Sequence, residues 1–361
     1  RMQEEYRAGG EREFDVGFMQ DVYERPFEIV VSDEAHFPAA HEQTRKAGGH
    51  TNGCRIGFDA GGSDRKVSAV VDGETVYSEE VVWHPKTSED PQYQYDGIVA
   101  AFKTAASKMP RVDSIGVSSA GVFVGNAPMV SSIFLKVPRS RREEVKSIFD
   151  RAAKEIGDVP VVVANDGDVS ALAGSMSLGT GCVMGLAMGT SEAVGYVNAE
   201  SSLLGWFSEL AFAPVDLNER AMRDEWSGDR GVGCKYFSQD AVAKLAPAAG
   251  IALSERLTPA EKLKEVQKLA EQGLPYAQEI FKSIGGYLGH TLCLYERLYD
   301  IRSLIVLGRV ASGVGGELIV AECRRVLKEE YPELAQKLCV MLPDEKFRRV
   351  GQSMAAASLP E

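Results

Sequence analysis

Asp59-Ala60-Gly61-Gly62-Ser63, placed directly after the apolar run Ile56-Gly57-Phe58, is the stretch whose reading decides the fold. A strand that ends in a carboxylate, turns through two glycines and a serine, and returns as a second strand makes a tight loop. Its backbone N–H groups can approach phosphate oxygens closely because glycine leaves them uncovered. On this reading Gly61 and Gly62 cradle phosphate, and Ser63 and Lys66 donate to it. Asp59 would hold Mg²⁺ through water, since Mg²⁺ keeps much of its hydration shell. Taken alone, the same residues read more simply as a β-hairpin with a glycine turn.

Two further segments change the weight of that reading. Gly189-Thr190-Ser191 follows the apolar run 183–188 and repeats the glycine-hydroxyl turn. Between the two turns, Val161-Val162-Val163-Ala164 leads into Asn165-Asp166. A carboxylate at the C-terminal end of a buried strand points into the cleft where ligands of open α/β sheets bind. There Asp166 could take the proton of a substrate hydroxyl as it attacks a γ-phosphate. Asn165-Asp166-Gly167 alone is also an ordinary turn signal. The order turn, carboxylate, turn is the arrangement phosphoryl transfer needs. Neither turn opens a helix as a dinucleotide fingerprint or P-loop does, and no GxxxxGK[ST] occurs.

The chain has 361 residues, 44% of them hydrophobic and 25% charged, enough for two packed domains of ordinary globular composition. A net charge of −12 argues against nucleic acid or an anionic membrane surface as the main partner. No apolar run approaches the roughly 18–20 residues of a membrane helix, and no secretory signal is visible, so a cytoplasmic protein is expected. Cys54, Cys182, Cys234, Cys293, Cys323 and Cys339 are scattered without a CxxC pair, which predicts reduced packing cysteines. His36, His41, His50, His84 and His290 show no metal-ligand spacing, and His290, in an apolar helix, reads as a satisfied core residue. Trp206 reads either as a stacking surface for a sugar or as a core or hinge residue.

Along the chain, residues 1–53 form an extension with one strand-like run, 27–31. From residue 55 the pattern predicts strands at 55–59, 66–71 and 75–82, with Asp72-Gly73 as a hairpin turn. A helix at 98–109, a strand at 112–117, an amphipathic helix at 141–156 and a strand at 159–164 follow. A related order recurs: strands 182–188 and 193–197, helices 238–245, 259–272 and 276–298, strand 303–307, helix 315–327, and 334–340 leading into a last strand. Small residues at 353–357 suit a packed helix. The expected organisation is an N-terminal lobe at 54–165, a C-terminal lobe at 166–345 and a terminal helix at 346–361 that packs back on the first lobe. The two lobes read as copies of one α/β unit.

With the late strand–glycine–helix Val306-Leu307-Gly308-Arg309-Val310-Ala311-Ser312-Gly313, this order resembles the actin-like ATPase and sugar kinase superfamily, and within it the ROK family of bacterial sugar kinases. The resemblance covers about residue 55 to the C-terminus. Ile115-Gly116-Val117-Ser118-Ser119-Ala120-Gly121-Val122 looks like the ROK Gly-x-Gly-x-Pro-Gly sugar segment without its proline. Asn165-Asp166 matches the family's Asn-Asp, in which Asp is the base and Asn a sugar ligand. Ser208-Glu209-Leu210-Ala211-Phe212 lines up with Gly-Glu-x-Gly-His, and 227–238 with Cys-Gly-x-x-Gly-Cys-x-Glu-x-Tyr-x-Ser.

The resemblance implies a two-lobed, ribonuclease H-like α/β fold of duplicated βββαβα units with an interlobe cleft. It implies ATP and Mg²⁺ as cofactors, a sugar bound by Ser119, Gly121, Asn165, Asp166 and Glu209, and adenosine bound near Gly308, Arg309 and Gly313. A homodimer is implied as well. The departures are specific. Phe212, Ser227 and Val232 stand where the family holds zinc with a His and two Cys, so no zinc is expected. Cys234 stands at the family's second glutamate. The expected activity is ATP-dependent phosphorylation of a hexose or amino-sugar hydroxyl. The alternative is a non-catalytic sugar- or nucleotide-binding sensor on the same fold.

Overall fold

The computed structural model describes residues 1–39 and 48–361, which fall into two compact units. The first comprises residues 1–169, 202–207 and 350–361, the second 170–201 and 208–349. His41 lies outside the described residues.

The first unit is built on a five-stranded sheet. Strands β1 (Cys54–Ala60), β2 (Asp64–Val71) and β3 (Glu74–Val82) form an antiparallel meander. Asp72 and Gly73, which join β2 to β3, both take positive φ, at 48° and 82°. That is the geometry a two-residue hairpin of native twist demands. β4 (Ser114–Ser119) lies parallel to β1, the β5 (Val122–Val124) and β6 (Ala127–Val130) hairpin follows, and β7 (Val161–Asn165) lies parallel to β4, giving the order β3-β2-β1-β4-β7. Ile56, Phe58, Ile115 and Val117 form the core with Phe102 and Phe149. Phe102 comes from helix Pro91–Ala106, whose start is set by Asp90 capping Gln92 N and by Pro91 in the first turn.

The C-terminal segment meets this sheet at paired glycines. Gly57 and Gly116 are cross-strand neighbours on β1 and β4. A Cβ on Gly57 would lie 1.6 Å from the Ser353 carbonyl oxygen, and one on Gly116 would lie 1.7 Å from that of Ala356. Only bare backbone lets the helix seat this closely. Ser68 and Ser353 hydroxyls meet at 2.7 Å, and buried Arg55 donates to the Pro360 carbonyl at 2.7 Å.

The second unit holds a four-stranded sheet ordered β11-β10-β8-β9. β8 (Val183–Met188) and β9 (Glu192–Val197) are antiparallel, while β10 (Ser303–Leu307) runs parallel to both β8 and β11 (Cys339–Met341). Helices Gln239–Leu245, Pro259–Glu271, Pro275–Tyr295 and Gly313–Glu330 complete the unit; the second opens on a Thr258–Glu261 capping box.

Several expectations need correction. The run 27–31 joins no sheet, and Val30 and Val31 are exposed. The extension instead holds helices Met2–Glu5 and Glu13–Tyr23, the second with Val16 and Val22 buried and Phe18 packed edge-on to Phe207. The helix expected at 141–156 is broken at Ser147 into Arg142–Lys146 and Ile148–Lys154. Residues 166–178, read only as a turn after Asp166, form a helix. The duplication is incomplete: among the described residues, no third antiparallel strand follows β9. His290 is half-exposed rather than core, with Nδ1 3.0 Å from the Tyr331 hydroxyl.

Candidate active site

In the first unit the carboxylates converge at the C-terminal ends of β1 and β7. Asp59 is the penultimate residue of β1, beside Ser118 on β4. Asp166 is the first residue of helix Asp166–Leu178, immediately after β7. Burial, reinforced by the charges of Asp166 and Asp64, pushes the Asp59 carboxyl up to about 7. Burial also raises Asp166, which the Gly167 N–H and the Lys86 charge partly offset. A buried carboxyl raised further by the charge of a neighbouring carboxylate, as Asp59 is by Asp166, is what a cation would relieve. Among the described residues no cluster of three or more His, Cys, Asp or Glu side chains is placed to hold a metal. Mg²⁺ binds through one or two carboxylates and its own waters, so Asp59 fits it as a donor.

The first turn is tightly fastened. Trp83 Nε1 donates to the Gly61 carbonyl at 2.8 Å, and Trp83 N donates to that of Ser63 at 3.1 Å. The Ser63 hydroxyl donates to Asp64 at 2.9 Å, while Lys66 points outward toward Glu80 at 3.9 Å. The cation nearest the turn is one the sequence reading passed over. The Lys86 ammonium lies 2.6 Å from where a Cβ on Gly62 would stand. Neither periodicity nor motif marks Lys86; it arrives from the short turn after β3.

The expected sugar segment gathers around Asn165. Its amide donates to the Gly121 carbonyl at 2.8 Å and its oxygen accepts from Gly167 N at 2.7 Å. Ser119 is its register partner on β4. The Ser118 and Ser119 hydroxyls are buried without a hydrogen bond of good geometry, although Ser118 is close enough to Asp59 to lower its carboxyl pKa. Orphaned buried hydroxyls cost free energy unless a ligand or water meets them.

In the second unit Gly189 starts the β8–β9 turn, its N–H donating to the Ser191 carbonyl at 3.0 Å; Thr190 and Ser191 are exposed. The same turn abuts the late glycine. Gly308 has φ 88°, and a Cβ there would lie 2.4 Å from the Met188 carbonyl oxygen, while Val310 N donates to that carbonyl at 3.1 Å. Gly189–Ser191 and Gly308 thus adjoin within one unit. Arg309 is exposed, its carbonyl accepting from Gln267, and Gly313, with φ 60°, begins the following helix. Glu209 precedes the short 3₁₀ turn Leu210–Phe212. At the positions the resemblance assigns to metal, Phe212 packs on Trp226 with ring centroids 5.5 Å apart and joins Ala211, Val232 and Cys234 in an apolar cluster.

No protein-family model matches the sequence, and no curated protein matches it. Solved structures match the fold. A ROK hexokinase from Thermus thermophilus aligns over 84% of this chain and 96% of its own, with a TM-score of 0.62 at 18% identity. A ROK family glucokinase from Streptomyces griseus, solved with glucose and AMPPNP, aligns over 84% and 98% with a TM-score of 0.62 at 20% identity. A ROK family transcriptional regulator, a homolog of the E. coli MLC protein, aligns over 84% and 78% with a TM-score of 0.67 at 16% identity. The chain therefore has the α/β fold of the ROK sugar kinases and their regulator relatives.

Proposed function

We propose that the protein is an ATP-dependent sugar kinase in which Asp166 is the general base. The observation that carries this reading is the placement of Asp166 within one unit. It is an enclosed carboxylate with a raised pKa, beside Asn165, electrostatically coupled to Asp59, near two orphaned serine hydroxyls. A carboxylate whose pKa burial lifts toward the working pH is suited to take a hydroxyl proton. Ser119, Gly121 and Asn165 would orient the sugar within this unit; Glu209 is the further sugar ligand that the resemblance implies. In the first unit the Gly61–Ser63 turn would take ATP phosphate, with Lys86 as a phosphate cation; in the second the Gly189–Ser191 turn would do the same. Adenosine would lie by Gly308, Arg309 and Gly313. Mg²⁺ at Asp59 would neutralise charge on the transferring phosphoryl group.

The experiment is an ADP-release assay across hexoses, amino sugars and acylated amino sugars, with Asp166→Asn beside the wild type. Sugar-dependent turnover that falls by about 10²–10⁴ in the variant supports the reading. The similarity to a transcriptional regulator favours one alternative, a sugar-binding sensor. Calorimetric binding of sugar without turnover on any substrate would select it.

A further inference from the structure

Glu192 stands outside everything assigned so far. It opens β9, just after the Gly189–Ser191 turn, and is 4% exposed. Its Oε2 is buried with no hydrogen-bond partner, pressed against Gly233, where a Cβ would lie 2.1 Å from it. Its Oε1 accepts from the Tyr295 hydroxyl at 3.4 Å, and that hydroxyl also lies 3.5 Å from the Leu210 carbonyl oxygen. Leu210 follows Glu209 and opens the 3₁₀ turn.

We propose that Glu192 is a positioning residue that, as a neutral acid, holds the Glu209 turn in place through Tyr295. The assignment of Glu209 as a sugar ligand rests on the kinase reading; the mechanical link does not. The link depends on the number of protons shared between the two side chains. Tyr295 has one hydroxyl hydrogen and two acceptors in reach. With Glu192 protonated, the acid donates to the tyrosine oxygen and the tyrosine donates to the Leu210 carbonyl. With Glu192 ionised, one hydrogen is left, the carboxylate takes it because a charged acceptor is the stronger, and the Leu210 carbonyl loses its donor.

Burial sets the pH at which this happens. The groups facing Glu192 are Tyr295 from the long helix, Glu209 from the turn and Cys234 from the 3₁₀ segment Gly233–Lys235. No cation is among them. Burial foremost, with the Glu209 charge, raises the carboxyl to about 8.

The test is millisecond hydrogen exchange on the ligand-free protein, corrected for intrinsic rates, at pH well below and well above 8. The reporters are the amides of Phe212 and Ala213, which donate to Glu209 and Leu210 carbonyls. In the wild type their protection should drop about fivefold above pH 8, the equilibrium value of one net hydrogen bond. Glu192→Gln, whose amide donates at every pH, should keep them protected throughout. Tyr295→Phe should leave them unprotected throughout. A wild-type profile without a step near 8, or a step that persists in Glu192→Gln, overturns the proposal. No sugar is present, so an inactive kinase does not rescue or sink this result, and a flat profile does not touch the kinase reading.

Discussion

Gly116→Ala should be among the most damaging single-methyl additions in the chain. The new Cβ would lie 1.7 Å from the Ala356 carbonyl oxygen, 2.5 Å from its carbon and 3.2 Å from Ala357 N. These are backbone atoms, so no side chain can swing aside. Reaching an ordinary contact requires the helix end to retreat by roughly 1.5 Å, which a close-packed interior resists. The retreat would lift Ala355, Ala356, Ala357 and Leu359, all buried, from the sheet. It would also strain the Ser68–Ser353 and Arg55–Pro360 hydrogen bonds. Overpacking of this kind costs about 1–3 kcal/mol, and two weakened hydrogen bonds add about 1 kcal/mol each, so a loss of about 3–5 kcal/mol is expected. The assay is urea unfolding followed by tryptophan fluorescence, with Gly286→Ala as the control. Gly286 lies inside helix Pro275–Tyr295 with nothing within 4 Å of a Cβ, so alanine there should stabilise by about 0.5–1 kcal/mol. A Gly116→Ala cost below about 0.5 kcal/mol would refute the claim that the terminal helix is seated on bare backbone.

Three further outcomes are expected. Lys86→Met should raise the KM for ATP about tenfold, the equivalent of about 1.4 kcal/mol, without shifting the melting temperature, because the residue is exposed; an unchanged KM would remove Lys86 from the phosphate site. Glu192 titrates at about 8 folded against 4.5 unfolded. The unfolded state therefore releases its proton first, and wild-type stability should fall as pH climbs between those values, by at most about 5 kcal/mol. Glu192→Gln should lack that component, and identical pH–stability curves for the two proteins would contradict it. Lys235→Met should destabilise by about 3–5 kcal/mol by stranding the buried Asp224 carboxylate, measured by urea unfolding, and a neutral result would show the cluster to be solvated.

The sheets were legible because enclosed strands leave apolar runs, such as the fully buried Ile56-Gly57-Phe58 and the half-buried Val161–Ala164, bounded by polar residues. Asp59 and Asp166 were legible because each terminates such a run. The breaks were not. Ser147 interrupts a pattern whose apolar spacing continues across it, so periodicity alone predicts one helix. Residues 27–31 are apolar and β-branched yet unpaired, because strand pairing depends on a partner edge that composition cannot supply. Helix Glu13–Tyr23 was missed because it buries only Val16 and Val22 and leans on aromatic contacts with residue 207, far along the chain. Lys86, Ser118 and Glu192 share one difficulty. Their significance lies in what surrounds them in space, and a lysine, a serine or a glutamate in an unremarked position carries no local signal of it.

Within the loops of residues 208–238, Phe212, Ser227 and Val232 stand at the positions where the resemblance would put metal ligands, and other contacts hold the loops together. The apolar contact of Phe212 with Trp226 is one of them. The others are electrostatic. Asp224 accepts from the backbone N–H groups of Trp226 and Ser227 at 3.2 and 2.8 Å, which closes that turn on itself. The Lys235 ammonium, buried, reaches Asp224 at 3.5 Å and Asp240 at 2.7 Å, and bonds Glu225 as well. Burial disfavours the ammonium, yet Asp240 and Glu225 outweigh it and its pKa rises. One cation thus bridges the 224–227 turn, its own 3₁₀ segment and the start of helix Gln239–Leu245. That is the topological role of a cross-link, performed by groups that remain ionised far above neutral pH. It differs from a metal in its failure mode. A metal site is lost when its ligands are protonated or chelated, whereas this cluster is lost when acid protonates Asp224. Asp224 is itself held below the usual carboxylate range, against the cost of burial, by the Ser227 N–H and by Lys235. Its contribution is present above the unfolded pKa and lost as pH falls through the lower folded one, so the turn should outlast the usual carboxylate range as pH falls.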